Sequence, residues 1–513
     1  MNYAALFRAT LPETALEVAA LLALVVDLGF LRKSVLQTRI TVAALIGVAG
    51  CGAALWAVSI AGPYTAGSDV LLAAGGSAGV AQVAILILTA LTLLLFIDTG
   101  FTRNPSEYVS VVLMSAAGGL LISAAQDLLV IFTGLELLSL GLYILTAFNK
   151  QSGKSAEAAL KYYLFGGMSA AFLLFGFSYL YGISGSTGLH SVIQGTYRSL
   201  GAGTGPLLYL ALVMIAVGLG FKVAAVPFHL WAPDTYEGAP APAAAFIASV
   251  SKVASFALLI SIGAASWHFF DGHPGIVYVT VVAHLAGTPM PRLFLDFRSS
   301  WMLILVMLSA ASMVLGNLAA LAQSSVRRLL AYSAIAHAGY VLLGLAFFSY
   351  SDLSGKAILY YIVTYGLTTI GAFGVVGVVE RAAGSDRMDA FLGLNKRSPL
   401  LAAVLLILFL SLAGIPPLVG FWAKFNLFAA VLRVGGGALP FALVALAIAL
   451  SAVSLYYYLQ VLKRAYVMPA TDETPIRVHP VTLAVVVAIA AAVVVMGCFP
   501  ALLQNWIASF YGM

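Results

Sequence analysis

Apolar runs of about twenty residues follow one another along almost the whole chain, divided by short polar or glycine- and proline-rich stretches. A helix rising about 1.5 Å per residue needs that length to cross roughly 30 Å of hydrocarbon. The pattern therefore predicts fourteen helices, near residues 12–31, 38–61, 80–98, 106–124, 126–148, 157–182, 206–230, 240–266, 301–322, 325–349, 355–379, 399–431, 438–467 and 480–503. A membrane β-barrel is excluded, because its strands alternate apolar and polar residues over about ten positions. Helices satisfy their own backbone in lipid. Glu13 and Glu17 open the first run with no basic segment or cleavage site before it, so a retained helix is expected rather than a signal peptide. Residues 267–300 break the pattern: an apolar patch at 275–287 precedes Pro289, Pro291, Arg292 and Arg298. They read as an outer loop or re-entrant piece; an additional spanning helix is the rival and would invert everything after it.

Composition agrees, with 62% hydrophobic and 9% charged residues against roughly 25% charged in soluble domains. Cys51 and Cys498 lie in different runs without CxxC or Cys/His spacing, so neither an iron–sulfur cluster nor a zinc site is expected. No GxxxxGK or strand-borne dinucleotide fingerprint occurs, which leaves this chain no cofactor and no nucleic-acid partner on this reading.

The net charge of +6 says less than its distribution. With the N-terminus outside, the inner turns hold fifteen basic residues, among them Arg32, Arg103, Lys150, Lys154, Arg327, Arg328 and Arg381, and the outer turns six. The excess of basic residues on cytoplasmic turns then puts both termini outside. Four lysines remain, Lys161, Lys222, Lys252 and Lys424, and all lie within apolar segments.

A charge at mid-bilayer costs about 2.5–3.5 kcal/mol on an insertion scale, so four oppose insertion by about 12 kcal/mol unless they face one another or water. Glu136 lies deep in the fifth segment and Lys252 in the eighth; Lys222 and Lys424 stand beside prolines. Lys161, near the start of its segment, could instead reach an interface. One carboxylate with several amines exceeds what charge neutralisation requires. A desolvated lysine loses proton affinity and can exchange protons. Two charges about 7 Å apart at an effective dielectric near 20 interact by about 2.4 kcal/mol, enough for one to load or unload the other.

Pro227 lies late in the seventh segment, and Pro416 with Pro417 interrupts the twelfth. Each break removes a backbone donor and is tolerated only against protein or a wet cavity. Paired broken helices point to a transport site between inverted repeats. Setting residues 127–136 against 328–337 gives an offset of 201 and puts His337 opposite Glu136; Lys222 to Lys424 gives 202, and Ser454 falls where a counterpart of Lys252 would be. His337 is either a titrating group or a hydrogen-bonded core histidine, and His229, after Pro227, either relays protons or caps the break. The expected organisation is a three-helix segment at 1–105, one five-helix unit at 106–266, the outer stretch at 267–300, a second, inverted five-helix unit at 301–467, and a C-terminal helix at 468–513.

The run FKVAAVPFHLWAPDTYEGAPAPAAAFIASVSK at 221–252, with FTGLELLSL at 132–140, GNLAALAQSSVRRLLAYSAIAHAGY at 316–340, SLAGIPPLVGFWAKF at 411–425 and SLYYYL at 454–459, resembles the antiporter-like membrane subunits of respiratory complex I. PFHLWAPDTYEGAPAP is similar to the subunit N pattern of NADH-quinone oxidoreductase, whereas subunits L and M tend to carry a second histidine in place of Tyr236, Glu237 and Gly238. The resemblance spans nearly the whole chain. It implies an all-α polytopic membrane protein of about 14 helices, with two inverted repeats and broken seventh and twelfth helices. It also implies a proton path through Glu136, Lys222, Lys252 and Lys424, with Lys161, His337 and His229 auxiliary. The partners implied are other membrane subunits and a peripheral redox arm carrying FMN, iron–sulfur clusters, NADH and a quinone site, in a bacterial inner membrane. The 267–300 stretch is longer than the family leads one to expect. A freestanding cation/proton antiporter and a structural membrane spacer are the alternatives.

Overall fold

The computed structural model describes residues 7–61, 71–199, 204–271, 297–348, 352–434, 438–470 and 474–511. The helices are α1 (Leu11–Gly29), α2 (Leu36–Ala61), α3 (Gly76–Phe96), α4 (Pro105–Ala124), α5 (Leu128–Thr146), α6 (Gly153–Ser184), α7 (Leu189–Ser199), α8 (Gly205–Lys222), α9 (Trp231–Gly238), α10 (Ala241–Asp271), α11 (Phe297–Leu321), α12 (Val326–Ala346), α13 (Asp352–Ala383), α14 (Pro399–Ala413), α15 (Val419–Val434), α16 (Ala438–Tyr466), α17 (Pro480–Cys498) and α18 (Pro500–Ser509). Among the described residues the only β pairings are three isolated bridges. Among the described residues twelve helices are long and apolar enough to cross a membrane. They account for twelve of the fourteen predicted segments. The other two are α1, which carries Glu13, Glu17 and Asp27, and the interrupted pair α14 and α15. The chain is a polytopic, all-helical membrane protein.

Local signals set the helix starts. Asp127 caps α5 by accepting from the N–H groups of Leu129 and Val130, and Ser325 caps α12 through the N–H of Arg328. Proline opens α4, α14, α17 and α18, where its missing N–H costs nothing. Residues 242–262 of α10 are buried without a break, which sets this helix inside the bundle. α1, α2 and α4 are pinned together by Asp27, 1% exposed, which receives Arg39 Nε at 2.6 Å, Arg39 Nη2 at 2.8 Å and Ser106 Oγ at 2.6 Å.

The structure differs from the sequence expectations in three respects. The stretch at 267–300 is helical at both ends, in α10 and α11, and residues 272–296 lie outside the described ones. The amphipathic α7, which buries Val192 and Ile193, was not predicted because it is too short and polar to register as an apolar run. The spacing between matching features also differs. Asp127 and Ser325 cap corresponding helices, and each makes an isolated β-bridge, with Gly188 and with Arg387. Gly118 meets the backbone of Gly134 and Leu138 as Gly316 meets that of Tyr332 and Ala336, while Gly141 and Gly339 lie against Ser115 and Met313. Gly188 and Arg387 are 199 residues apart, and the caps and the glycine contacts are 198 apart rather than 201. In this register Glu136 matches Ala334, and His337 matches Ser139.

Candidate functional site

The two helix breaks are built alike. α8 ends at Lys222 and is followed by Val223 and Ala224, the latter in the left-handed region at φ 56°; α14 ends at Ala413 and is followed by Gly414, at φ 89°. Ala225 N–H reaches back to Gly220 O and Ala224 N–H to Phe221 O; Ile415 N–H reaches Leu410 O and Gly414 N–H reaches Ser411 O. Both breaks also contain a cis proline, Pro227 and Pro417. Each break leaves last-turn carbonyls without helical partners, the negative end of a helix dipole set inside the bundle.

Lysines occupy those ends. Lys252, 2% exposed, donates from α10 to the carbonyl of Val223. Lys424, 6% exposed, donates to the matching carbonyl of Ala413 at 2.8 Å and to Ser451 Oγ at 2.8 Å. Ser451 itself lies 3.4 Å from Ala413 O. Ser451 therefore stands on α16 where Lys252 stands on α10, three residues before the Ser454 that sequence spacing picked out. Lys222 and Lys424 are not equivalent: Lys222 ends the half-helix before its break, and Lys424 belongs to the half-helix after its own.

Lys222 is buried and donates to Ser139 Oγ, which donates on to Leu135 O. Its ammonium lies 6.0 Å from the Tyr143 ring centroid and within range of the Glu136 charge. Glu136 is half-buried one turn before Ser139, and its Oε1 is buried without a hydrogen-bond partner. His337, 5% exposed, is close enough to both Lys252 and Lys424 to sense their charges. Its Nδ1 pairs with Tyr361 Oη at 2.7 Å, and its Nε2 has no partner. The structure thus brings five of the sequence-derived residues into one buried series: Glu136, Lys222, Lys252, His337 and Lys424.

Lys161 stands apart, 42% exposed at its side chain and paired with Glu157 at 2.7 Å and Asp234 at 2.8 Å. Asp234 also receives Arg328 at 2.7 Å, and Arg328 bridges to Glu237 at 3.1 Å, which pairs with Lys154 at 3.0 Å. This alternating chain of ions ties α9 to α6 and α12. His229 lies in the first break, 6% exposed, with Nδ1 unpartnered. Sequence reasoning missed Ser139, Ser451 and Tyr361, whose only signal is a hydroxyl at helical spacing from a residue it did identify. Among the described residues no group of three His, Cys, Asp or Glu could hold a metal ion.

A bundle with two broken helices, cations at the broken ends and a buried line of ionisable groups defines an antiporter-like transport protein. The chain belongs to the family described as "NADH:quinone oxidoreductase/Mrp antiporter, TM", matched at residues 125–285 and 275–450. It is 45% identical to NADH-quinone oxidoreductase subunit N 2 of Acidobacterium capsulatum over 99% of both chains, and 37% identical to subunit N of Desulfovibrio desulfuricans over 98% of this chain and 96% of that one. A chain of respiratory complex I from Thermus thermophilus superposes with a TM-score of 0.74 at 32% identity, covering 96% of this chain and 98% of that one. A chain of the Mrp complex from Dietzia sp. DQ12-45-1b shares the fold, with a TM-score of 0.77 at 20% identity over 98% and 96% of the two chains.

Proposed function

We propose that this chain is a proton-translocating, non-redox membrane subunit of an NADH-quinone oxidoreductase, the N-type member of its membrane arm. Its partners are other membrane subunits and a peripheral arm that supplies NADH oxidation, FMN, iron–sulfur clusters and quinone reduction. It lies in a bacterial inner membrane with both termini outside and its basic turns inside. Residues 106–266 and 301–467 act as two inverted half-channels. The observation that carries this reading is the buried series from Glu136 to Lys424, with lysines held at the carbonyl ends of two broken helices.

Charge changes arriving from neighbouring subunits alter the pairing of Glu136 with Lys222. Lys222 then yields or takes a proton through Ser139, Lys252 and His337 pass charge onward, and Lys424 gates release to the outside. Lysine suits this work because its proton is exchangeable, unlike that of arginine. Lys161 and His229 serve the first half from its ion-paired rim and its break. The test is proton pumping by the assembled complex carrying Glu136→Gln or Lys222→Ala. Pumping is expected to fall strongly, with quinone reduction falling too where coupling is tight; normal pumping by an assembled Glu136→Gln complex would count against the assignment. A freestanding cation/proton antiporter, favoured only by the shared Mrp fold, instead predicts sodium-dependent pH gradients from this protein without redox partners.

A further inference from the structure

Ala224 sits fully buried in the first break with φ at 56°, a region that side chains other than glycine's rarely adopt. The second break puts Gly414 in the left-handed region, where no side chain opposes it. A strained backbone persists only where its surroundings over-determine it. Two of the holds on this loop come from its own half: Trp231 Nε1 donates to Phe221 O at 2.9 Å, and Lys252 donates to Val223 O. Another comes from the other half. Val226 N–H donates to Ser312 Oγ of α11 at 2.9 Å, and Ser312 is 0% exposed. The buried line of charges makes no use of this serine.

On the far side of that bond α11 is locked to α12. A Cβ at Gly316 would stand 2.6 Å from Ala336 N and one at Gly339 2.8 Å from Met313 N, so the two backbones touch on either side of Ser312. Ser309 Oγ also donates to Gly339 O at 2.7 Å. α12 carries His337, which senses the charge of Lys252. Ser312 thus joins the loop whose carbonyl holds Lys252 to the helix pair that bears His337. In the register of 198 residues its match is Met114, 36% exposed, so α4 offers no hydroxyl at the matching place. The second break pairs Gly420 N–H with Ser411 Oγ inside its own half.

We propose that Ser312 is a positioning residue of the proton path: its hydroxyl clamps the strained first break, keeps the Val223 carbonyl on the Lys252 ammonium, and makes the break move with the helix pair that bears His337. The inference rests on the proton-translocating reading above. With the clamp closed, Ala224 is held at positive φ and Lys252 keeps its carbonyl acceptor. With the clamp open, Ala224 relaxes, the carbonyl three residues before Val226 turns away, and the ammonium leaves its place beside His337. The break is then an element with two discrete arrangements, the kind that carries coupling between distant groups. A displacement of α11 and α12 in the second half reaches Lys252 in the first through the backbone as well as through charge.

The test uses the assembled complex in proteoliposomes, reading protons moved per NADH oxidised, with amide hydrogen exchange of the peptide 223–230 followed by mass spectrometry. Ser312→Ala removes the acceptor at nearly constant volume. It is expected to lower the proton yield about fivefold, the rate equivalent of one hydrogen bond of about 1 kcal/mol, and to speed exchange in that peptide. Ala224→Gly removes the strain that the clamp opposes, so Ser312→Ala made together with Ala224→Gly is expected to pump within about twofold of Ala224→Gly alone. A loss of the same size with and without Ala224→Gly would reduce Ser312 to packing and overturn the proposal. Unchanged exchange, or a normal proton yield, in assembled Ser312→Ala would overturn it as well, and if Lys252→Met is impaired in the same vesicles, only the clamp fails. Normal pumping by Lys252→Met would instead sink the translocation reading beneath it.

Discussion

Ser451 occupies on α16 the place that Lys252 holds on α10, and the amine that reaches the second broken end comes from Lys424 instead. The ammonium should therefore be transplantable. In Lys424→Ala the Ala413 carbonyl loses a charge-assisted hydrogen bond, a type worth about 1.5–3 kcal/mol, and proton flux is expected to fall about 10- to 100-fold. Adding Ser451→Lys returns an amine to the same carbonyl from a position 3.4 Å away at its hydroxyl. The volume lost at 424 is close to that gained at 451, and volume-conserving changes usually cost less than about 1.5 kcal/mol, so the double variant should recover to within about tenfold of the parent. Flux would be followed with a pH-sensitive dye in proteoliposomes of the assembled complex, with Ser451→Ala as a control for the serine alone. An assembled double variant no better than Lys424→Ala would refute the equivalence of the two broken ends.

Two further outcomes follow from the packing. A Cβ at Gly414 would press on Lys424 Cδ and Nζ while the residue keeps φ at 89°, so Gly414→Ala should lower proton flux without preventing assembly, measurable in the same vesicles. Arg39→Ala leaves the buried Asp27 carboxylate with Ser106 alone and should destabilise the N-terminal helices by about 3–5 kcal/mol, seen as an earlier melting transition of the purified complex.

The run of apolar helices, twelve of which among the described residues are long and apolar enough to cross a membrane, the two breaks and the deep charges were legible in the sequence because each obeys a one-dimensional rule: hydrocarbon thickness sets run length, proline lacks a donor, and charge is expensive in lipid. Spatial equivalence was not. The offset of 201 aligned one charge with another, Glu136 with His337, whereas the backbone keeps 198, set by glycines where helices touch and by the caps Asp127 and Ser325. The three-residue error is close to one helical turn, so it kept the face and misplaced the depth. Lys161 read as an intramembrane charge because Glu157 and Asp234, 4 and 73 positions away, are neutralising partners that hydropathy does not connect to it. Ser139 and Tyr361 escaped because a hydroxyl in an apolar helix becomes conspicuous only when its partner, Lys222 or His337, is seen beside it.

Lys252 lies between the two halves of the buried series, with its ammonium on the first broken end and His337 within reach. Lys252→Met keeps the side-chain length and removes the exchangeable proton, so protons moved per NADH oxidised should fall sharply in the assembled complex. An unchanged proton yield, at normal turnover and with the membrane arm intact, would show that protons cross by some path that avoids this amine.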